Sequence, residues 1–129
     1  MIKFTIPLNP VTKKNSQMPV FIGKKCPVCH KGQRVLILPS KAYQKYEKEC
    51  KKHMPKVDTI DRAVNVKALY YMKTRRRVDL TNLNEALHDV LVKYGVLEDD
   101  NNLIVASTDG SRVLYDKENP RTEVEIKEV

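Results

Sequence analysis

The sequence predicts an α+β domain in which about two helices pack on one mostly antiparallel sheet. Three observations carry the prediction. Apolar residues alternate with polar ones in an opening, a central and a closing segment; a 3.6-residue apolar stripe follows the central segment; and Gly, Pro, Asn and Asp punctuate the joints between them.

The opening segment Ile2-Lys3-Phe4-Thr5-Ile6-Pro7-Leu8 alternates until proline ends it, which predicts a first strand followed by a loop over NPVTKKNSQ. Pro19-Val20-Phe21-Ile22 and Arg34-Val35-Leu36-Ile37-Leu38 are short apolar runs on either side of a Gly-, Cys- and Lys-rich stretch at 23–33. They predict a hairpin with a long tip. Ser40 is placed to cap a first helix over KAYQKYEKECKKHM, with Tyr43, Tyr46, Glu47 and Cys50 at helical spacing and Pro55 to stop it. From Arg62 to Met72, Val64, Val66, Ala68 and Tyr70 recur at a spacing of two, the pattern of a strand with one buried face.

A basic tract, Lys73 to Arg77, leads to a second helix. Thr81 is its expected cap; Leu83, Leu87, Val90, Leu91 and Tyr94 share one side, and Gly95 is placed to end it in a left-handed conformation. LIVAST and SRVLYD, separated by Asp109-Gly110, predict a hairpin, and the alternation from Thr122 to Val129 predicts a closing strand.

With 129 residues, 41% of them hydrophobic, the chain fits one domain spanning 1–129 that needs no disulfide or structural metal to form a core. No run approaches the roughly 20 apolar residues of a membrane helix, and the beginning lacks the apolar region of a secretory signal. The expectation is a soluble protein of the cytoplasm without a membrane partner. Three cysteines, Cys26, Cys29 and Cys50, agree with a reducing compartment. A net charge of +8, with the cations spread over several segments, favours a polyanionic partner such as nucleic acid.

Acidic residues narrow the chemistry. Asp79 precedes the second helix, and Asp99 and Asp100 follow the turn after it, while Asn82, Glu85 and Asp89 form one polar face of the helix itself. Carboxylates in a basic protein are the raw material of a phosphodiester-cleaving site, because Mg²⁺ and Mn²⁺ prefer hard oxygen ligands. The plainer alternative is a helix-dipole acid at Asp79, a turn at Asp99-Asp100, and a solvated face with Asp89 paired to Lys93. Neighbouring extended residues point in opposite directions, so one of Asp99 and Asp100 is expected to support the other. Lys13, Lys14, Arg75, Arg76 and Arg77 are the natural phosphate contacts.

In order and spacing, Arg75-Arg76-Arg77-Val78-Asp79-Leu80-Thr81-Asn82-Leu83, then Leu87-His88-Asp89-Val90-Leu91, then Gly95-Val96-Leu97-Glu98-Asp99-Asp100 resemble the RusA family of Holliday junction resolvases. The resemblance is specific from Arg75 to Ile104 and extends loosely to the loop Pro10-Val11-Thr12-Lys13-Lys14-Asn15. It implies a homodimeric, Mg²⁺-dependent endodeoxyribonuclease that nicks four-way DNA junctions in pairs, of a kind often carried by bacteriophages or prophages of bacteria. It implies that Asp79, Asn82, Asp89, Asp99 and Asp100 occupy motif positions, with Asn15 and Asn82 among the DNA contacts.

Two departures stand out: Thr81 replaces the motif's second aspartate and Glu85 replaces its lysine. The expectation is therefore a rearranged site of Asp79, Glu85 and Asp100 holding Mg²⁺ or Mn²⁺, with Asp89 and Asp99 beside it. The alternative is a catalytically weak or inactive DNA- or RNA-binding module.

Cys26-Pro27-Val28-Cys29 at the hairpin tip resembles half of a zinc knuckle, and Cys50 with His53 could supply the other half of a structural Zn²⁺ site. His30 and His88 receive no catalytic role, since nothing in the sequence places a nucleophile or orienting acid beside either.

Overall fold

The computed structural model describes residues 1–12, 17–22 and 34–129. Strands β1 (Ile2–Ile6), β2 (Gln17–Ile22) and β3 (Arg34–Pro39) are followed by helix α1 (Lys41–Cys50) and a short 3-10 turn, Lys51–His53. Strand β4 (Val64–Met72), helix α2 (Leu80–Lys93) and strands β5 (Val105–Ser107), β6 (Arg112–Tyr115) and β7 (Arg121–Glu128) complete the chain. β2 and β3 pair antiparallel as a separate ribbon, while the other strands form one five-stranded sheet ordered β1-β7-β4, with β5 and β6 both along the far edge of β4. This is the α+β fold that the sequence predicts.

The central strands form where alternation is cleanest. Val64, Val66, Ala68 and Tyr70 of β4, and Thr122, Val124 and Ile126 of β7, face inward and are buried. Over them lie Tyr43, Tyr46 and Cys50 of α1 and Leu83, Ala86, Leu87, Val90 and Leu91 of α2, all within one cluster. Burying each large apolar side chain contributes about 1.5–3 kcal/mol before the entropy of ordering it is subtracted. Ser40 caps α1 by accepting the Tyr43 N–H at 3.2 Å. The Tyr94 hydroxyl donates to the Glu47 carbonyl at 2.9 Å and ties the end of α2 to α1.

The helix cap moves from its expected place. Helix α2 begins at Leu80, so Asp79 occupies the cap position and Thr81 lies inside the first turn. An extended backbone at Asp79 (φ −87°, ψ 125°) makes the entry, and Leu83 N–H bonds its carbonyl at 3.2 Å.

LIVAST and SRVLYD do not form a hairpin. Helix α2 carries the chain from the end of β4 back to its beginning, so the segment after the helix runs parallel to β4, and β5 and β6 become two pieces of one edge strand. That strand advances five positions, from 107 to 112, while β4 advances four, from 65 to 69. The extra residue is taken up by the turn at Thr108–Ser111, closed by the Ser111 N–H to the Thr108 carbonyl at 3.2 Å, and the ladder also shifts register between Val64 and Asn65. Side chains replace the missing ladder there. Asn65 Oδ1 accepts from Asp109 N–H at 2.8 Å and from the Ser107 hydroxyl at 2.6 Å, and Ala68 N–H donates to Ser111 Oγ at 3.1 Å. Gly110 adopts φ +88°, which suits this turn as well as it suits a hairpin turn.

Candidate nucleic-acid interface and acidic site

At the end of β4 the chain leaves the sheet as Lys73–Arg77, a basic stretch of irregular backbone in which Arg75, Arg76 and Arg77 are all exposed. Lys73 N–H donates to Asn9 Oδ1 at 3.0 Å, fastening this stretch to the opening loop. Between them lies a cleft of about 350 Å³ lined by Pro10, Val11, Thr12, Arg76, Arg77 and Val78 among others. A second cleft of about 320 Å³ shares Met72, Thr74 and Arg76 with it and continues along Val113, Leu114 and Tyr115. Arg75 stacks its guanidinium 4.2 Å from the Tyr115 ring centroid.

Asp79 stands next to Val78 at the border of this basic surface. Its carboxylate is exposed and, among the described residues, accepts no backbone N–H from the first turn of its own helix. Asn82, one turn on, donates to Asp79 Oδ2 at a long 3.4 Å. The acid is therefore held near the positive end of α2, where a carboxylate is favoured, without being consumed by capping.

Asp99 is used differently. Its Oδ1 accepts the Asp100 N–H at 2.7 Å and its Oδ2 accepts from Asn101 Nδ2 at 3.3 Å, while Asn101 Oδ1 takes the Leu103 N–H at 3.0 Å. These bonds fold the loop onto itself and leave Asp100 exposed. One member of the pair thus supports the other, as the opposed directions of neighbouring side chains suggest.

The structure gathers only some of the expected residues. Asp79 and the Asp99-Asp100 loop enter from opposite ends of α2, whose 14 residues span about 21 Å. Asp79 and Asn82 meet at one end. Asp100 and Asp89 each favour the charged form of His88, further along the helix, against the larger effect of its burial. Among the described residues no three His, Cys, Asp or Glu side chains come together as a metal-holding group, so Asp79, Glu85 and Asp100 are not assembled into one cage. Glu85 is exposed and Asp89 half-buried on the same helix.

The sequence sets His88 next to Asp89 but nothing in it marks His88 as a neighbour of Asp100. In the structure its Nε2 is buried, with no hydrogen-bond partner among the described residues. Burial lowers its pKa, while Asp100 and Asp89 pull it the other way. Its place, one residue past the Leu87 stripe position, is the signal that would have put it at the rim of the core. Tyr115 was equally silent, because its contact with Arg75 joins segments far apart in the chain.

Lys13, Lys14, Asn15, Cys26 and Cys29, with the hairpin tip at 23–33, lie outside the described residues. Cys50 is fully buried, and burial pushes its thiol up to about 11. His53 ends the 3-10 turn half-buried. Among the described residues no helix is long and apolar enough to cross a membrane.

A model of the endodeoxyribonuclease RusA family matches residues 7–127, all but the first six and last two of the 129 residues. No curated protein matches the chain.

Proposed function

The chain belongs to the RusA endodeoxyribonuclease family, and from that premise we propose that it cuts four-way or otherwise branched DNA at a site centred on Asp79. The observation that carries the proposal is the Asp79 carboxylate, left uncapping at the border of an exposed arginine tract and next to Val78, which lines the first of two connected clefts.

In this reading Arg75, Arg76 and Arg77, with Lys13, Lys14 and Asn15 of the opening loop, neutralise and position the DNA backbone. Asn82 orients Asp79 at the scissile phosphate. Such phosphate contacts carry affinity without sequence information, which suits a substrate recognised by shape, and they make binding fall steeply with salt.

The donor set fits Mg²⁺ or Mn²⁺. Mg²⁺ keeps several waters and is commonly held by one or two carboxylates plus substrate phosphates, so an exposed hard oxygen beside bound DNA suits it without a three-acid cage. When bound, the ion supplies an activated water and neutralises charge on the leaving oxygen. Glu85, further along the first half of α2, is the nearer additional carboxylate in this reading, and Asp100, held out by the Asp99 loop beyond the far end of the helix, is one that the extended DNA substrate would meet separately. Paired nicks on symmetric strands call for a two-fold homodimer.

The test is Mg²⁺-dependent cleavage of a synthetic four-way junction by wild type and by Asp79→Asn, Glu85→Gln and Asp100→Asn variants. Wild type is expected to cleave and Asp79→Asn to fail. Full activity in Glu85→Gln removes Glu85 from the site. The absence of a three-acid group among the described residues and the Thr81 departure favour one second reading, a junction-binding protein without cleavage; wild type that binds junctions but leaves them intact in Mg²⁺ and Mn²⁺ would establish it.

A further inference from the structure

We propose that Tyr115 and Arg75 form a stacking platform that receives an unpaired or unstacked nucleobase at the branch point of the DNA. The inference rests on the branched-DNA reading above and adds a second kind of contact to it, to a base and not to the backbone.

Position comes first. Residues opposite one another on neighbouring strands share a face of the sheet. Val113 stands opposite Tyr70 and Tyr115 opposite Met72, so both side chains project on the side that carries the helices. They do so at the end of β4 from which α2 starts, the end where Asp79 sits. The core does not cover them there: Val113 is 38% and Tyr115 39% exposed, large apolar groups held open beside one another. Both line the cleft that runs through Arg76 into the one bordered by Arg77 and Val78.

Chemistry supplies the ligand. A phenol ring next to an exposed apolar side chain offers a flat surface for a π-system, and a guanidinium plane is itself a stacking partner for a base. Exposed cations on the same stretch, Arg75, Arg76 and Arg77, complement the phosphates on either side of such a base. A continuous duplex stacks every base pair on both faces; an open crossover leaves the pairs that flank it with one face uncovered. The platform therefore distinguishes branched from linear DNA.

A second arginine-tyrosine stack in the protein shows what a structural version looks like. Arg121 lies 3.8 Å from the Tyr71 ring centroid, and its guanidinium also pairs with Asp116 at 2.8 Å and Glu123 at 3.5 Å. Its charge is neutralised locally. Arg75 has no carboxylate partner among the described residues, so its charge remains for a ligand.

The experiment places 2-aminopurine at the crossover of a synthetic four-way junction and measures binding and fluorescence in Mg²⁺-free buffer, with a linear duplex alongside. Wild type is expected to bind the junction and change the probe's emission. Tyr115→Ala and Tyr115→Leu should each weaken junction binding roughly ten-fold and abolish the emission change, with duplex affinity unaltered, while Tyr115→Phe retains both. Because the side chain is half-exposed, circular dichroism of each variant should match wild type.

A Tyr115→Ala variant that binds and perturbs the probe as wild type does overturns the platform and leaves the nuclease reading standing. Equal loss of junction and duplex binding, or a changed monomer–dimer balance in sedimentation, also overturns it, by making the surface a general phosphate contact or a subunit interface. Wild type that binds no junction overturns both readings together.

Discussion

Two aspartates flank helix α2, one at each end, and the fold treats them oppositely. Asp79 holds the cap position without capping, its carboxylate exposed and, among the described residues, hydrogen-bonded only by a long bond from Asn82. Asp99 commits both oxygens to its own loop, to Asp100 N–H and to the Asn101 amide. Asp99 does local structural work, and the Asp79 carboxylate is left accessible. The difference lies in what each carboxylate meets, since the residue type is the same: Asp79 directly precedes α2, and Asp99 lies in the loop six residues past Lys93. A charge kept at a cap position without capping forgoes about 1 kcal/mol of helix stability, which is reasonable where the group has another task.

The largest expected effect tests the free end. Asp79→Asn removes the charge and keeps the shape, and asparagine is as good at a cap position as aspartate. Cleavage of a four-way junction should fall by at least about a hundred-fold if the carboxylate meets the reacting phosphate or its metal ion, while the thermal midpoint stays within roughly 2 °C. A variant that loses stability and keeps activity would invert the comparison.

The same logic gives the opposite outcome at the other end. Asp99→Ala removes acceptors for two loop bonds, so a loss of about 1–2 kcal/mol is expected in urea unfolding, with residual cleavage well above that of Asp79→Asn. Asp100→Asn should leave stability near wild type, because Asp100 is exposed and its side chain closes no bond of the loop. If Asp99→Ala abolishes cleavage without a stability change, Asp99 is a ligand and not a brace.

How much of this contrast could be read from the sequence depends on the range of the interactions. Helix α2 was legible because Leu83, Leu87, Val90 and Leu91 repeat with the helix period, and β4 and β7 because their alternation survives over seven or eight residues; both are local signals. The edge strand was not. Two short apolar runs around Asp109-Gly110 suit a hairpin or an interrupted strand equally, and only the return of the chain through α2 decides for parallel pairing with β4. The cap shifted from Thr81 to Asp79 for a similar reason, both being competent cap residues two positions apart.

In the site, the acids and the arginine tract were visible as types. Which acid is consumed was not, because it depends on how the 98–103 loop closes. His88 and Tyr115 were missed since their neighbours, Asp100 and Arg75, reach them through the tertiary fold.

Gly95, just past the last turn of α2, offers a smaller test of the structural end. It adopts φ +77°, a left-handed backbone in which its N–H bonds the Val92 carbonyl at 3.2 Å. An added Cβ would meet nothing closer than Thr59 Oγ1 at 3.8 Å, so Gly95→Ala should cost only the backbone strain, about 1 kcal/mol. Junction cleavage at a temperature well below the midpoint should be unchanged. A much larger loss would mean that the turn after α2 holds the Asp99-Asp100 loop in place by more than its own conformation.

The smallest effect belongs to the ion pair between Lys93, in the last turn of α2, and Glu47 of α1. The Lys93 side chain is 54% exposed and that of Glu47 20%, so solvent screens the attraction from one side. The hydrogen bond from Lys93 raises its pKa, which means the folded state holds the proton more tightly than the unfolded chain. Any stability from that preference is present below the ordinary lysine range and disappears as pH rises through the raised value. Near neutrality Lys93→Ala is expected to cost under about 1 kcal/mol, and less in high salt. The Tyr94 hydroxyl bond to the Glu47 carbonyl survives the substitution and keeps the two helices in register. A cost of several kcal/mol, insensitive to salt, would show that this end of α2 depends on charge, and that the two ends differ less than their aspartates suggest.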